Sequence, residues 1–118
     1  MALKIEEEKT AGVTVLRLAG RATLGDESNQ LRSKLRELLD RGVTRMVLDL
    51  GEVTYLDSAG LGTLVAGYTS ARSKGASIKL ANLTKKITEQ LNITKLVTVF
   101  EVYPDVQAAV QSFAQPSA

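Results

Sequence analysis

Apolar positions along this chain switch between a spacing of two and a spacing near 3.6, and each switch marks an element. Leu3 and Ile5 alternate with charged residues, Ala11-Gly12 supplies a turn, and Val13, Val15 and Leu18 continue the alternation. That pattern predicts a hairpin. Gly20 is read as the end of its second strand, followed by a polar loop from Arg21 to Gly25. Asp26 suits a helix cap and Glu27 the positive end of the helix dipole. Leu31, Leu35, Leu38 and Leu39 then fall on one apolar stripe, closed by Arg41 and Gly42.

Met46, Val47, Leu48 and Leu50 are interrupted only by Asp49, as in a central strand covered on both faces. A turn is expected from Gly51 to Asp57, then a helix carrying Leu61, Leu64, Val65, Tyr68 and Ala71 and ended by Gly75. Ile78 and Leu80 mark a short strand, and Thr84 suits the cap of a brief helix with Ile87 and Leu91. Val97, Val99 and Val102 alternate as a last strand. Pro104 fits the first turn of a final helix that places Val106, Ala109, Val110 and Phe113 on one face. The order β-β-α-β-α-β-α-β-α predicts an α/β fold on one mixed sheet, antiparallel at its start and parallel later. No linker divides the chain, so residues 1–118 read as one domain, and the small polar tail 115–118 is expected to fray.

Composition removes most chemistry. The chain has 44% apolar and 24% charged residues, ordinary globular values that exclude a disordered or fibrous class. Without Cys there is no disulfide, thiolate nucleophile or cysteine zinc site; without His there is no Ser-His-Asp triad and no ordinary transition-metal site. No cofactor or metal is expected. Fifteen Lys and Arg against thirteen Asp and Glu leave a net charge of +2, spread along the chain, with few aromatics for base stacking. Direct nucleic-acid binding is not expected. Neither is membrane insertion, since no apolar run approaches about 20 residues. The acidic start, Glu6-Glu7-Glu8, is no signal peptide, and the expected location is the cytoplasm. These three carboxylates are read as solvated.

The informative segment is Tyr55-Leu56-Asp57-Ser58-Ala59-Gly60-Leu61-Gly62, between the central strand and the second helix. A hydroxyl stands where a helix begins, followed by small residues that leave the backbone bare. The first N–H groups of a helix lack internal partners and carry partial positive charge, so a phosphate on Ser58 would be tolerated there. Gly60 and Gly62 would let another protein approach the first turn closely. A plainer reading stands beside this one: Asp57 or Ser58 caps the helix and the glycines permit close packing. Two phosphate motifs fail on inspection. Val65 occupies the third glycine position of G-x-G-x-x-G, with Asn82 where an acidic ribose partner belongs, and Tyr68 replaces the lysine of a phosphate loop that would start at Gly62. Lys85-Lys86 reads as surface.

Val47-Leu48-Asp49-Leu50 followed by Asp57-Ser58-Ala59-Gly60-Leu61-Gly62 resembles the signature of the STAS family, which includes sulphate transporters and anti-sigma factor antagonists. The likeness also takes in the opening hairpin, the Gly20 loop and the run Asn92-Ile93-Thr94-Lys95-Leu96. It implies a STAS-like sheet with helices mainly on one face, and a free-standing bacterial anti-sigma factor antagonist rather than an enzyme. It further implies that Ser58 is phosphorylated by a partner that is both anti-sigma factor and serine kinase. The unphosphorylated form binds that kinase and frees the sigma factor, and a metal-dependent serine phosphatase reverses the modification. The implied partner-binding residues are Thr23, Leu24, Asp57, Ser58, Ala59, Gly60, Leu61 and Gly62. Related antagonists often carry Asp where this chain has Thr23, which supplies no negative charge near the target hydroxyl.

Two other assignments compete. Domains of this kind also serve as small subunits of lipid-transport ATPases or as cores of stress-sensing assemblies, using the Ser58 region for docking alone. A receiver domain phosphorylated on Asp57 has a similar length and alternation, but it needs an acidic pair after the first strand and a lysine after the last. Here a turn follows the first and Tyr103-Pro104 the last.

Overall fold

The computed structural model describes residues 3–22, 26–94 and 99–114. Nine elements stand in the expected order: β1 (Lys4–Thr10), β2 (Val13–Ala22), α1 (Asp26–Asp40), β3 (Arg45–Leu56), α2 (Ser58–Ser73), β4 (Ser77–Ala81), α3 (Lys85–Thr94), β5 (Glu101–Tyr103) and α4 (Val106–Ala114). The strands form one sheet in the order β1-β2-β3-β4-β5. β1 and β2 are antiparallel, paired from Lys4↔Ala19 to Thr10↔Val13; β2 to β5 are parallel. The hairpin turn is Ala11-Gly12, both left-handed at φ 52° and 78°, the geometry that matches strand twist.

Alternation along the strands sorts the side chains onto two faces. Leu16, Leu18, Met46, Leu48, Leu50, Ile78 and Leu80 face the larger core. There they meet Leu31, Leu35 and Leu38 of α1, Leu61 and Leu64 of α2, and Ile87 and Leu91 of α3. Val13, Val15, Val47 and Ala81 point the other way, against Ala109 and Val110 of α4. Three helices thus share one face and α4 covers the other, so the central strand is buried on both sides. Each fully buried leucine contributes about 1.5–3 kcal/mol, and the tight fit of such cores makes truncation costly.

The last strand is shorter than expected, only Glu101–Tyr103, with Val99 in the turn before it and Val97 outside the described residues. Three further local expectations need correcting. Gly20 does not end β2: it takes φ 106° at a register shift, and pairing resumes through Arg21↔Tyr55 and Ala22↔Leu56. The segment from Gly51 is not a turn, because β3 continues to Leu56 along β2 after β4 has ended at Ala81↔Asp49. What stops β4 there is Asn82, left-handed at φ 58°, whose Nδ2 donates to Asp49 Oδ1 at 3.1 Å. Asp49 Oδ1 also accepts from the Gly51 N–H at 3.0 Å, and a Cβ at Gly51 would stand 3.2 Å from the Asn82 Cβ. With only one edge paired, this stretch loses the strict alternation that identifies strands. Third, Pro104 precedes the last helix; its cap is Asp105, whose Oδ1 accepts from the Ala108 N–H at 2.7 Å.

Glu6, Glu7 and Glu8 do stand on an exposed strand, yet Glu7 is not merely solvated. Its carboxylate meets Lys34 at 2.7 Å and Arg41 at 3.3 Å, and both cations also reach Glu37. Hydrogen bonds from Lys34 and Arg41 hold Glu7 below the usual carboxylate range, and the Glu7 contact raises Lys34. β1 is thereby tied to α1.

The turn from β3 into α2 as candidate functional site

β3 ends at Leu56, and Asp57, extended at φ −97° and ψ −174°, turns the chain into α2. Its Oδ1 accepts from the Gly60 N–H at 2.9 Å, the reach of an N-cap to the third helical residue. The helix then closes with the Leu61 N–H on the Asp57 carbonyl at 2.9 Å. Ser58 is the first helical residue and is exposed; Ala59 is half-buried, while Gly60 and Leu61 are buried. One turn on, Gly62 is exposed, and a Cβ there would meet nothing within 4 Å. Ser58 and Gly62 therefore share the solvent side of the helix, four residues apart. Thr63, buried, donates to the Ala59 carbonyl at 3.0 Å and fixes the first turn from inside.

The supporting frame comes from three elements. Thr54 donates to the Gly20 carbonyl at 3.1 Å, and Arg21 and Ala22 pair with Tyr55 and Leu56, so β2 ends beside the start of α2. Thr23 and Leu24, expected to touch a partner, lie outside the described residues, as do residues 115–118. Gln90 of α3 donates to the Leu56 carbonyl at 2.6 Å, and Lys86 stands 5.0 Å over the ring of Tyr55, itself 39% exposed. Sequence reasoning misses these supports. Lys86 reads as ordinary surface, and no pattern pairs Gln90 with a carbonyl 34 positions earlier. Of the segment's expected members, Asp57, Ser58, Ala59, Gly60, Leu61 and Gly62 all fall within this one turn and the start of α2.

Chemically, the site offers a hydroxyl and little else. The chain contains no histidine, and among the described residues no cluster of acidic side chains is arranged to hold a metal. The Asp57 carboxylate is turned inward to cap the helix. The arrangement suits a group that is acted upon.

The STAS domain family model matches residues 4–109. The chain belongs to the STAS domain family. Among its relatives, the anti-sigma-B factor antagonist of Bacillus subtilis is 32% identical over 81 residues, covering 69% of this chain and 73% of that protein. An anti-sigma factor antagonist from Mycobacterium paratuberculosis superposes with a TM-score of 0.84 at 21% identity, over 97% of this chain and 96% of that one. The Bacillus anti-sigma factor antagonist SpoIIAA matches at 17% identity. Its unphosphorylated form has a TM-score of 0.71 over 96% of this chain and 97% of its own. The phosphorylated form also has a TM-score of 0.71, over 92% and 99%. These solved structures share the STAS fold with this chain. The receiver assignment is set aside: the sheet order differs from the doubly wound 2-1-3-4-5, and Asp57 caps α2.

Proposed function

We propose that this STAS domain is an anti-sigma factor antagonist acting in the bacterial cytoplasm, with Ser58 as its phosphorylation site. The names of its relatives support the antagonist role, and they describe regulators rather than enzymes. The observation that carries the site is the exposed Ser58 at the first position of α2, capped by Asp57 and faced by open space at Gly62. The unphosphorylated form docks onto an anti-sigma factor serine kinase through Thr23, Leu24 and Asp57 to Gly62, and so frees the sigma factor. A metal-dependent serine phosphatase restores the docking form.

The switch is electrostatic. A phosphate adds about 1.5–2 negative charges, and the helix end stabilises these by about 0.3–1 kcal/mol in the free protein. The Asp57 carboxylate already occupies the Gly60 N–H, so the phosphate stands beside a like charge. Covered by a partner, it would be desolvated without a new cation at a cost of several kcal/mol, and about 4 kcal/mol is a thousandfold in affinity. The interface loss exceeds the helix-end gain, and the fold itself changes little.

The test is intact-mass measurement after incubation with ATP and candidate serine kinases. One added phosphate that disappears in Ser58→Ala supports the reading. A phosphate that persists in that variant would move the acceptor elsewhere. A partner that proves to be a transport ATPase subunit, binding with no modification, would leave Ser58 as a docking residue only.

A further inference from the structure

The outer face of the helix layer carries a second feature, some distance from Ser58. Helices α1 and α2 connect successive parallel strands, so they run side by side in the same direction. They touch where Gly67 faces Leu35; a Cβ at Gly67 would come within 2.7 Å of Leu35 Cδ1. Lys74 and Asp40 close their C-terminal ends with an ion pair at 3.0 Å. Between the helices lies an open groove of about 330 Å³ with Leu35 and Leu39 in its floor, Arg32 and Arg36 on one rim, and Ala66 and Ser70 on the other.

The charge on this groove is one-sided. Three cations line it (Arg32, Arg36 and Lys74) against one carboxylate, Asp40, which Lys74 already neutralises. Among the described residues, neither Arg32 nor Arg36 forms an ion pair, and both are exposed. The opposite flank of the same helix behaves differently, because Lys34 and Arg41 are matched by Glu7 and Glu37. α1 thus satisfies its cations toward β1 and leaves two, one turn apart, toward the groove. The groove also continues the Ser58 surface. Ser58, Gly62, Ala66 and Ser70 recur every four residues, all exposed, and Ala66 lies about 12 Å along the axis from Ser58.

We propose that this groove receives an acidic helix of the same partner that acts on Ser58, an inference that rests on Ser58 being the regulated residue. A groove between two parallel helices, apolar in its floor, fits an amphipathic helix laid along it. Arg32 and Arg36, one turn apart, fit carboxylates one turn apart on that helix, each guanidinium able to bind bidentately. The small side chains at Gly62 and Ala66 let the partner's backbone lie close to α2. The hydroxyl supplies the regulated contact and the groove supplies orientation and partner choice, as charge complementarity does at other interfaces.

The test uses the full chain and the kinase found to modify Ser58, titrated against each other by calorimetry and stopped-flow at several salt concentrations. Arg32→Glu with Arg36→Glu should weaken binding by about tenfold or more, mainly through slower association with a flatter salt dependence. Ala66→Arg, which fills the groove, should weaken it similarly, while Arg45→Glu, off the groove, should leave it unchanged. Unfolding midpoints in urea serve as the control for folding. Recovery of affinity when acidic residues of the kinase helix are reversed to lysine would secure the pairing. Wild-type affinity in the double variant, alongside lost binding in Ser58→Asp, overturns the groove proposal and leaves the Ser58 reading intact. If no serine kinase binds or modifies the wild-type chain, the Ser58 reading fails and the groove proposal with it. Dodecyl phosphate binding that requires Arg32 and Arg36, with kinase binding indifferent to them, would mark a small-amphiphile site and also overturn it.

Discussion

Two strand-to-helix turns stand at the same end of the sheet and use the same cap in different ways. At β3–α2, Asp57 accepts from the N–H three residues on; at β4–α3, Thr84 does the same for Ile87 at 3.2 Å. The caps are equivalent in reach, but the first helical turns beyond them differ. α3 begins Lys85-Lys86, long cations placed unfavourably at the positive end of a helix dipole, and one of them is drawn over the Tyr55 ring. α2 begins Ser58-Ala59-Gly60-Leu61-Gly62, with no charge and almost no side chain. Glycine inside a helix costs about 1 kcal/mol relative to alanine, and at Gly62 no neighbour within 4 Å requires it. Of the two turns, only α2 keeps a weak helix former where nothing in the fold asks for one. That bareness is what the proposed docking of a partner at this turn would require.

The largest expected effect would break the comparison outright. Ser58→Asp places a permanent charge beside the inward-turned Asp57 and should weaken binding to the proposed anti-sigma factor kinase by about 3–4 kcal/mol, hundreds- to a thousandfold. The melting temperature should move by only a few degrees, because Ser58 is exposed. Next comes Gly62→Gln, for which fold and binding should change in opposite directions. Stability should rise by about 0.5–1 kcal/mol from helix propensity, while affinity should fall by about 2 kcal/mol as the new side chain meets the partner. Unchanged affinity in the glutamine variant would return Gly62 to the plainer reading. Calorimetric binding and thermal melts on the same samples separate the two terms.

How much of this is legible in the sequence depends on the range of the interactions that set it. Asp57, Ser58, Gly60 and Gly62 are legible because capping and helix-start chemistry are local, spanning three or four residues. The order of elements is legible for the same reason, through Leu31 to Leu39 and Leu61 to Ala71. The continuation of β3 to Leu56 is not, since its pairing partner is a single strand about 34 positions away and Gly51 reads as a breaker. It is glycine because of Asn82, a contact that no spacing rule carries. Gln90 on the Leu56 carbonyl and Lys86 on Tyr55 belong to the same class. They place α3 against the site, and only the folded chain reveals them.

Removing the caps sharpens the comparison at a lower energy. Asp57→Ala and Thr84→Ala should each cost about 1 kcal/mol of stability, because each leaves one helix-start N–H without its side-chain acceptor. Urea midpoints should therefore place the two variants close together. Partner binding and the rate of Ser58 phosphorylation should not: both should drop in Asp57→Ala and stay at wild-type levels in Thr84→Ala. Equal functional loss in the two variants would mean that the cap matters only as a support for the fold.

The smallest effect concerns the β1–α1 flank, where charges are matched to one another rather than left for a partner. Glu7 lies against Lys34 and Arg41, and hydrogen bonds from both depress its pKa below the usual 4.5. A carboxylate whose folded pKa is lowered adds stability that is fully present above its unfolded value and is lost as pH falls through the folded one. At pH 7, Glu7→Gln should therefore cost about 0.5–1 kcal/mol, as expected for a partly exposed pair with two cations. The gap between wild type and variant should hold steady across neutral pH, begin to narrow near pH 4.5, and close once Glu7 is protonated in the folded protein. Taking the difference between the two proteins cancels the titration of the other carboxylates. Lys34, raised by the same contact, stays charged throughout this range and adds no second transition. Kinase binding should be indifferent to the substitution at pH 7, since these charges serve β1 and α1 alone; a binding loss there would show that the partner covers the hairpin flank as well as α2.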